Sequence, residues 1–133
     1  MKAILFDLDG TLIDSSEGIT KSAQYALSHF GISEPDRNSL FFFIINTFME
    51  HYGFTKERAL EAVKKYRERY NKIGIFECSL FPGAKECIEA LKAAGYRIGL
   101  ASSKPEKSCE RILEHFGILD MFDEVVGATF DGR

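Results

Sequence analysis

The sequence predicts an α/β fold, a parallel sheet interrupted by a helical insertion. Three observations carry this. An apolar run, Ala3-Ile4-Leu5-Phe6, opens the chain and runs straight into Asp7-Leu8-Asp9-Gly10-Thr11-Leu12. Residues 15–80 show helical spacing and no convincing strand. After Phe81-Pro82-Gly83 the pattern becomes helix, strand, helix, strand, the alternation that builds a parallel sheet with right-handed crossovers.

The elements follow in order. Lys2 to Leu8 is continuously apolar before its acids, so it reads as a strand buried on both faces. Gly10 allows a tight turn or the close approach of a ligand. Ser15 and Ser16 are N-cap candidates for a helix whose apolar face is Ile19, Ala23, Ala26, Leu27 and Phe30, with Gly31 just past its end. Glu34-Pro35-Asp36 is a loop, and Leu40 to Tyr52 reads as an aromatic helix ending at Gly53. Thr55 caps the clearest helix, with Ala59, Val63, Tyr66, Tyr70 and Ile73 on one face and a Glu61–Lys65 i,i+4 pair on the other. Beyond Gly83, Ala84, Cys87, Ile88 and Leu91 form a helix face. Tyr96 to Ala101 is a second strand that stops at Ser102-Ser103-Lys104. Pro105 fits the first turn of the next helix, whose apolar face is Cys109, Ile112, Leu113 and Phe116. Glu124 to Ala128 is a third strand.

Composition narrows the function classes. The 133 residues are 45% hydrophobic, enough for one domain with an insertion and a real core. A net charge of −3 gives no electrostatic reason to expect nucleic acid or an anionic membrane. No stretch approaches the roughly 20 apolar residues of a membrane span, and no secretory leader is visible. Cys78, Cys87 and Cys109 are odd in number and lack metal-type spacing, which fits reduced thiols in a cytoplasmic protein.

Two strand ends carry chemistry. In a parallel sheet, Asp7-Leu8-Asp9-Gly10-Thr11 and Ser102-Ser103-Lys104-Pro105 lie on one rim, where ligands of open α/β sheets bind. One end supplies carboxylates. The other supplies hydroxyls, a cation and the free amides of a helix start, which suit an anion. Carboxylates facing an anion require a cation between them, so the consistent ligand is a phosphate ester with Mg²⁺. His29, His51 and His115 lie on helical stretches away from these ends and read as structural. Phe41-Phe42-Phe43 reads as the core of the insertion, and Asp14 as a helix cap or a functional acid.

These residues carry a resemblance. Asp7-Leu8-Asp9-Gly10-Thr11-Leu12-Ile13-Asp14-Ser15 resembles the first motif of the haloacid dehalogenase superfamily, and Leu100-Ala101-Ser102-Ser103-Lys104-Pro105 its second. The similarity covers essentially the whole chain and is nearest to the phosphoglycolate phosphatase-like branch. It implies a Rossmann-like core, 1–14 and 81–133, with a helical cap at 15–80. It implies Mg²⁺-dependent hydrolysis of a small phosphomonoester. Asp7 would be the nucleophile and Asp9 the general acid and base. Mg²⁺ would be held by the Asp7 carboxylate and the Asp9 backbone carbonyl. Thr11 would support the loop, while Ser102, Ser103 and Lys104 would serve the phosphate.

Departures from the family pattern are equally specific. A third-motif lysine and fourth-motif acids normally follow residues 130–133, and Lys104 could replace that lysine only with its side chain turned inward. A Gly-Pro-Pro-type substrate loop is not found around Phe41 to Asn46. The sequence is therefore expected to be part of a longer polypeptide with an incomplete core. The alternatives are a phosphotransferase or mutase on the same aspartate, or a non-catalytic phosphate- or metal-binding fragment. Partners beyond a small phosphorylated metabolite and the oligomeric state are not legible.

Overall fold

The computed structural model describes residues 2–33, 37, 49–50 and 52–128. The expected loop at 34–36, most of the helix expected over 40–52, the Phe41 to Asn46 run and His51 lie outside the described residues. The elements are β1 (Ala3–Phe6), β2 (Ile13–Asp14), α1 (Ser16–Ser28), α2 (Lys56–Tyr70), β3 (Ser79–Leu80), α3 (Ala84–Ala93), β4 (Arg97–Pro105), α4 (Glu106–His115) and β5 (Glu124–Ala128). The chain divides into two units, Met1–Ser15 with Ser79–Arg133, and Ser16–Cys78.

In the first unit the sheet order is β1-β4-β5 and both pairings are parallel. Each crossover moves one strand in the same direction. Right-handed connections therefore put α3 and α4 on the same face. That face buries Ile98 and Leu100 of β4, with Ile88 of α3 and Ile112 and Leu113 of α4 buried as well. Alternate strand residues point the other way, and there Leu5 is 70% exposed. This corrects the expectation that the first strand is buried on both faces. A short apolar run does not say how many layers cover it, and among the described residues helices cover only one.

Three boundaries also differ from expectation. β4 does not stop at Ser102. It continues to Pro105, with a register shift between Ala101 and Pro105, where Pro105 lies opposite Ala128. Such a bulge turns side chains away from the regular alternation. Pro105 is the N-cap residue of α4, at φ −53° and ψ 137°, and not a member of its first turn. The stretch expected to hold no strand contributes β3, which pairs antiparallel with β2, Ile13 opposite Leu80 and Asp14 opposite Ser79. Ribbon strands of two residues are too short for periodicity to register.

In the second unit α1 and α2 bury Ala23, Ala26 and Leu27 with Phe54, Ala59, Ala62 and Val63. Small residues on both helices let them approach closely. The Thr55 hydroxyl accepts the Arg58 N–H at 3.2 Å, the expected cap. Ile73 lies beyond the end of α2 and is 55% exposed, so it is not part of that face. Cys87, expected on the apolar face of α3, is exposed. Lys65 pairs with Glu68 at 3.4 Å, and not with Glu61. Arg69 grips Glu77 with two bonds, 2.7 and 3.2 Å, and donates to the Ser22 hydroxyl. No helix among the described residues is long and apolar enough to cross a membrane.

Candidate active site

The rim beyond β1 is built by one tight turn. The amides of Thr11, Leu12 and Ile13 all donate to the Leu8 carbonyl, at 3.2, 2.9 and 3.1 Å. The Gly10 amide donates to the Ile13 carbonyl at 2.9 Å. Gly10 sits at φ +79°, which a side chain would strain. Leu8, Leu12 and Ile13 are buried and anchor the turn. Of the polar residues around them, Asp7, Gly10 and Thr11 are exposed and Asp9 is half-buried. The sequence folds this way because its apolar and polar residues already separate at this spacing.

Phe6 lies opposite Leu100, so the ends of β1 and β4 meet on one rim. One oxygen of Asp7, Oδ1, accepts the Leu8 N–H at 2.7 Å, which fixes the carboxylate against its own backbone. Asp9 is different. Its Oδ1 is buried with no hydrogen-bond partner, and Lys104 Nζ stands 3.4 Å away. The Lys104 side chain is only 9% exposed. It therefore points inward from the bulge, the orientation that the sequence alone left open.

The bulge is braced from below. Ser102 Oγ accepts the Lys104 N–H at 3.1 Å. The Cys109 thiol, fully buried on α4, donates to the Lys104 carbonyl at 3.7 Å. Burial pushes the Cys109 pKa up, against the Ser102 hydroxyl and the Lys104 charge, so the group stays a neutral thiol donor. Ser103 and Thr11 are exposed on the same rim. The geometry thus joins Asp9 to Lys104 and Lys104 to Ser102. Cys109 was legible only as an apolar helix position, and nothing in the sequence marked its contact with the bulge.

Among the described residues no three His, Cys, Asp or Glu side chains converge as a metal cluster. Mg²⁺ in phosphate-handling sites takes one or two carboxylates and completes its shell with water and substrate oxygens. The exposed Asp7 carboxylate, bonded through Oδ1 to the Leu8 N–H, keeps its second oxygen available to a cation, which fits that sparser pattern.

The sequence model for haloacid dehalogenase-like hydrolases matches residues 4–130. The chain belongs to this family. Relatives include a 5'-nucleotidase of Pseudomonas aeruginosa, 45% identical over 97% of this chain and 60% of its own length. A tyrosine-protein kinase PtkA of Mycobacterium tuberculosis is 38% identical over 97% of this chain and 45% of its own. A phosphoglycolate phosphatase of Cereibacter sphaeroides is 32% identical over 96% of this chain and 62% of its own. The crystal structure of a putative phosphatase from Clostridium difficile superposes with a TM-score of 0.92 at 42% identity, covering 99% of this chain and 63% of that one. The chain thus spans about 60% of the length of the Pseudomonas relative, and the fold is that of haloacid dehalogenase-like phosphatases.

Proposed function

We propose that this protein is a phosphatase that hydrolyses a small phosphomonoester through an aspartyl-phosphate on Asp7. The observation that carries the reading is the meeting of the two strand ends, with Lys104 Nζ 3.4 Å from Asp9 Oδ1. A nucleophile-bearing turn faces a cation and a hydroxyl, which suits a phosphoryl group. A carboxylate oxygen of Asp7 attacks phosphorus, and the bond to the ester oxygen breaks. Asp9 gives that oxygen its proton. Asp9 then takes a proton from water, whose oxygen attacks the aspartyl-phosphate, releasing phosphate and restoring Asp7. Lys104 and the Ser102 hydroxyl would bind phosphoryl oxygens, with Ser103 and Thr11 at the margin.

Mg²⁺ would be held by the Asp7 carboxylate and the Asp9 backbone carbonyl, and it supplies charge neutralisation between the attacking carboxylate and the phosphate. The reading also takes 15–80 as a cap and 1–14 with 81–133 as a split catalytic core. The substrate class, phosphoglycolate-like, is supported by the name of the Cereibacter relative, and the Pseudomonas relative's name makes 5'-nucleotides the natural comparison. The test is phosphate release from p-nitrophenyl phosphate with and without Mg²⁺, then from 2-phosphoglycolate and a 5'-nucleotide. Asp7→Asn abolishes release. Activity that survives Asp7→Asn would sink the proposed nucleophile.

A second reading is supported by the kinase name of the Mycobacterium relative. The aspartyl-phosphate would pass its phosphoryl group to a hydroxyl acceptor in place of water. Product analysis in the presence of an alcohol acceptor separates the two, since transfer yields a new phosphate ester and hydrolysis yields only phosphate.

A further inference from the structure

We propose that Gly127 and Cys109 are positioning residues that aim Lys104 at Asp9 by clamping the Lys104 carbonyl between β5 and α4. Gly127 lies on β5, next to Ala128, which is opposite Pro105. A Cβ on Gly127 would stand 2.6 Å from the Lys104 carbonyl oxygen, and 2.6 Å from both the amide nitrogen and Cα of Glu106. Real Cβ atoms do not come so close to backbone. The bulge therefore occupies the space where any other residue would carry a side chain.

The second side of the clamp is the Cys109 thiol, one turn into α4, which donates to the same carbonyl at 3.7 Å. The third constraint is the Lys104 N–H, held by Ser102 Oγ at 3.1 Å. With both ends of its peptide fixed, Lys104 leaves the bulge in one direction, and its side chain reaches Asp9. In a bulge the ladder hydrogen bonds are locally disrupted, so other contacts must hold the backbone there. Moving the carbonyl outward to accommodate a methyl group at Gly127 would carry the ammonium away from Asp9. Neither Gly127 nor Cys109 touches the reacting atoms, so both act through Lys104.

The inference rests on the phosphatase reading only in its activity arm. In the full chain, the ε-methylene resonance of Lys104, assigned by its loss in Lys104→Met, reports the ammonium without any substrate. Gly127→Ala and Cys109→Ala are expected to shift it, while Cys109→Ser, which keeps a donor, leaves it near its original position. In p-nitrophenyl phosphate turnover, Gly127→Ala is expected to lower kcat about 10- to 100-fold. In a Lys104→Met background the same substitution should add no further loss.

A Lys104 resonance unmoved by both Gly127→Ala and Cys109→Ala overturns the proposal, as do losses that multiply in the double variant. If the unsubstituted protein releases no phosphate, the phosphatase reading fails, and the resonance still decides the clamp. If Gly127→Ala does not fold, the Cys109→Ala and Cys109→Ser pair decides it.

Discussion

The Lys104 ammonium lies 3.4 Å from Oδ1 of Asp9, and that oxygen accepts no hydrogen bond. The pair links the turn after β1 to the bulge at the end of β4. It places a positive charge beside one of the two acids before any substrate arrives. An incoming phosphate dianion would meet that ammonium on the same rim as the acids, which lessens the repulsion that an acidic rim imposes.

Lys104→Met should therefore weaken both catalysis and stability. The Lys104 side chain is 9% exposed and the Asp9 side chain 30%, so leaving the buried Asp9 oxygen without its partner costs about 1–3 kcal/mol. Loss of a donor aimed at the phosphoryl group should lower kcat/KM by about two orders of magnitude. Thermal melting and p-nitrophenyl phosphate kinetics on one preparation check both halves. A variant with unchanged kinetics would remove Lys104 from the phosphate site.

Asp9→Asn should separate the two chemical steps. An amide neither protonates a leaving oxygen nor deprotonates water. p-Nitrophenolate leaves without much help, so Asp7 still becomes phosphorylated, but hydrolysis of that intermediate stalls. The expected result is a burst of about one p-nitrophenolate per protein, followed by slow turnover. Intact mass after acid quench should show one added phosphoryl group. A steady rate with no burst and no adduct would contradict the assigned order of steps.

The candidate site was legible to the degree that it is written in short contiguous motifs. Asp7 to Thr11 announces itself because acids end an apolar run, and Ser102 to Pro105 because polar residues precede a helix. The direction of the Lys104 side chain was not legible. It depends on a bulge held by Gly127 and Cys109, contacts between segments with no local pattern of their own. The described helices were legible from their apolar spacing, except at Cys87, which is exposed, and at Ile73, which kept the period past the last turn of its helix. β1 is legible as a strand but not as one with a face that no described helix covers, since burial depends on which side the crossovers take.

The Arg69–Glu77 pair predicts a pH-dependent contribution to stability. The Arg69 guanidinium, more than any other group, holds the Glu77 carboxyl below its ordinary 4.5, with Lys21 assisting at 3.7 Å. A carboxyl depressed in the folded state stabilises the fold above its unfolded value, and that contribution disappears as pH falls through the folded value. The side chains are 18% and 20% exposed, and the bonds are charge-assisted, so Arg69→Met should cost about 2 kcal/mol near pH 7. Urea melts from about pH 7 down to about pH 3 should show the gap between the two proteins closing at the acid end. A gap that stays constant with pH would mean that Arg69 acts through packing alone.

Gly18→Ala tests how tightly α1 is seated on the turn before β3. Gly18 is buried, and a Cβ there would overlap the carbonyl group of Gly74. The approach is mutual, because a Cβ on Gly74 would stand 2.6 Å from Ser22 Oγ and 2.9 Å from the Gly18 carbonyl oxygen. The Gly18 amide also donates to the Glu77 carbonyl at 3.1 Å, so the helix cannot back away without breaking a bond. Alanine ordinarily gains about 1 kcal/mol over glycine within a helix. Here the clash should outweigh that gain and leave a net loss of about 2 kcal/mol. Denaturant midpoints of Gly18→Ala and of its parent give the sign and size of the net effect. A Gly18→Ala protein more stable than its parent would show that α1 and the 74–76 turn are not in close contact.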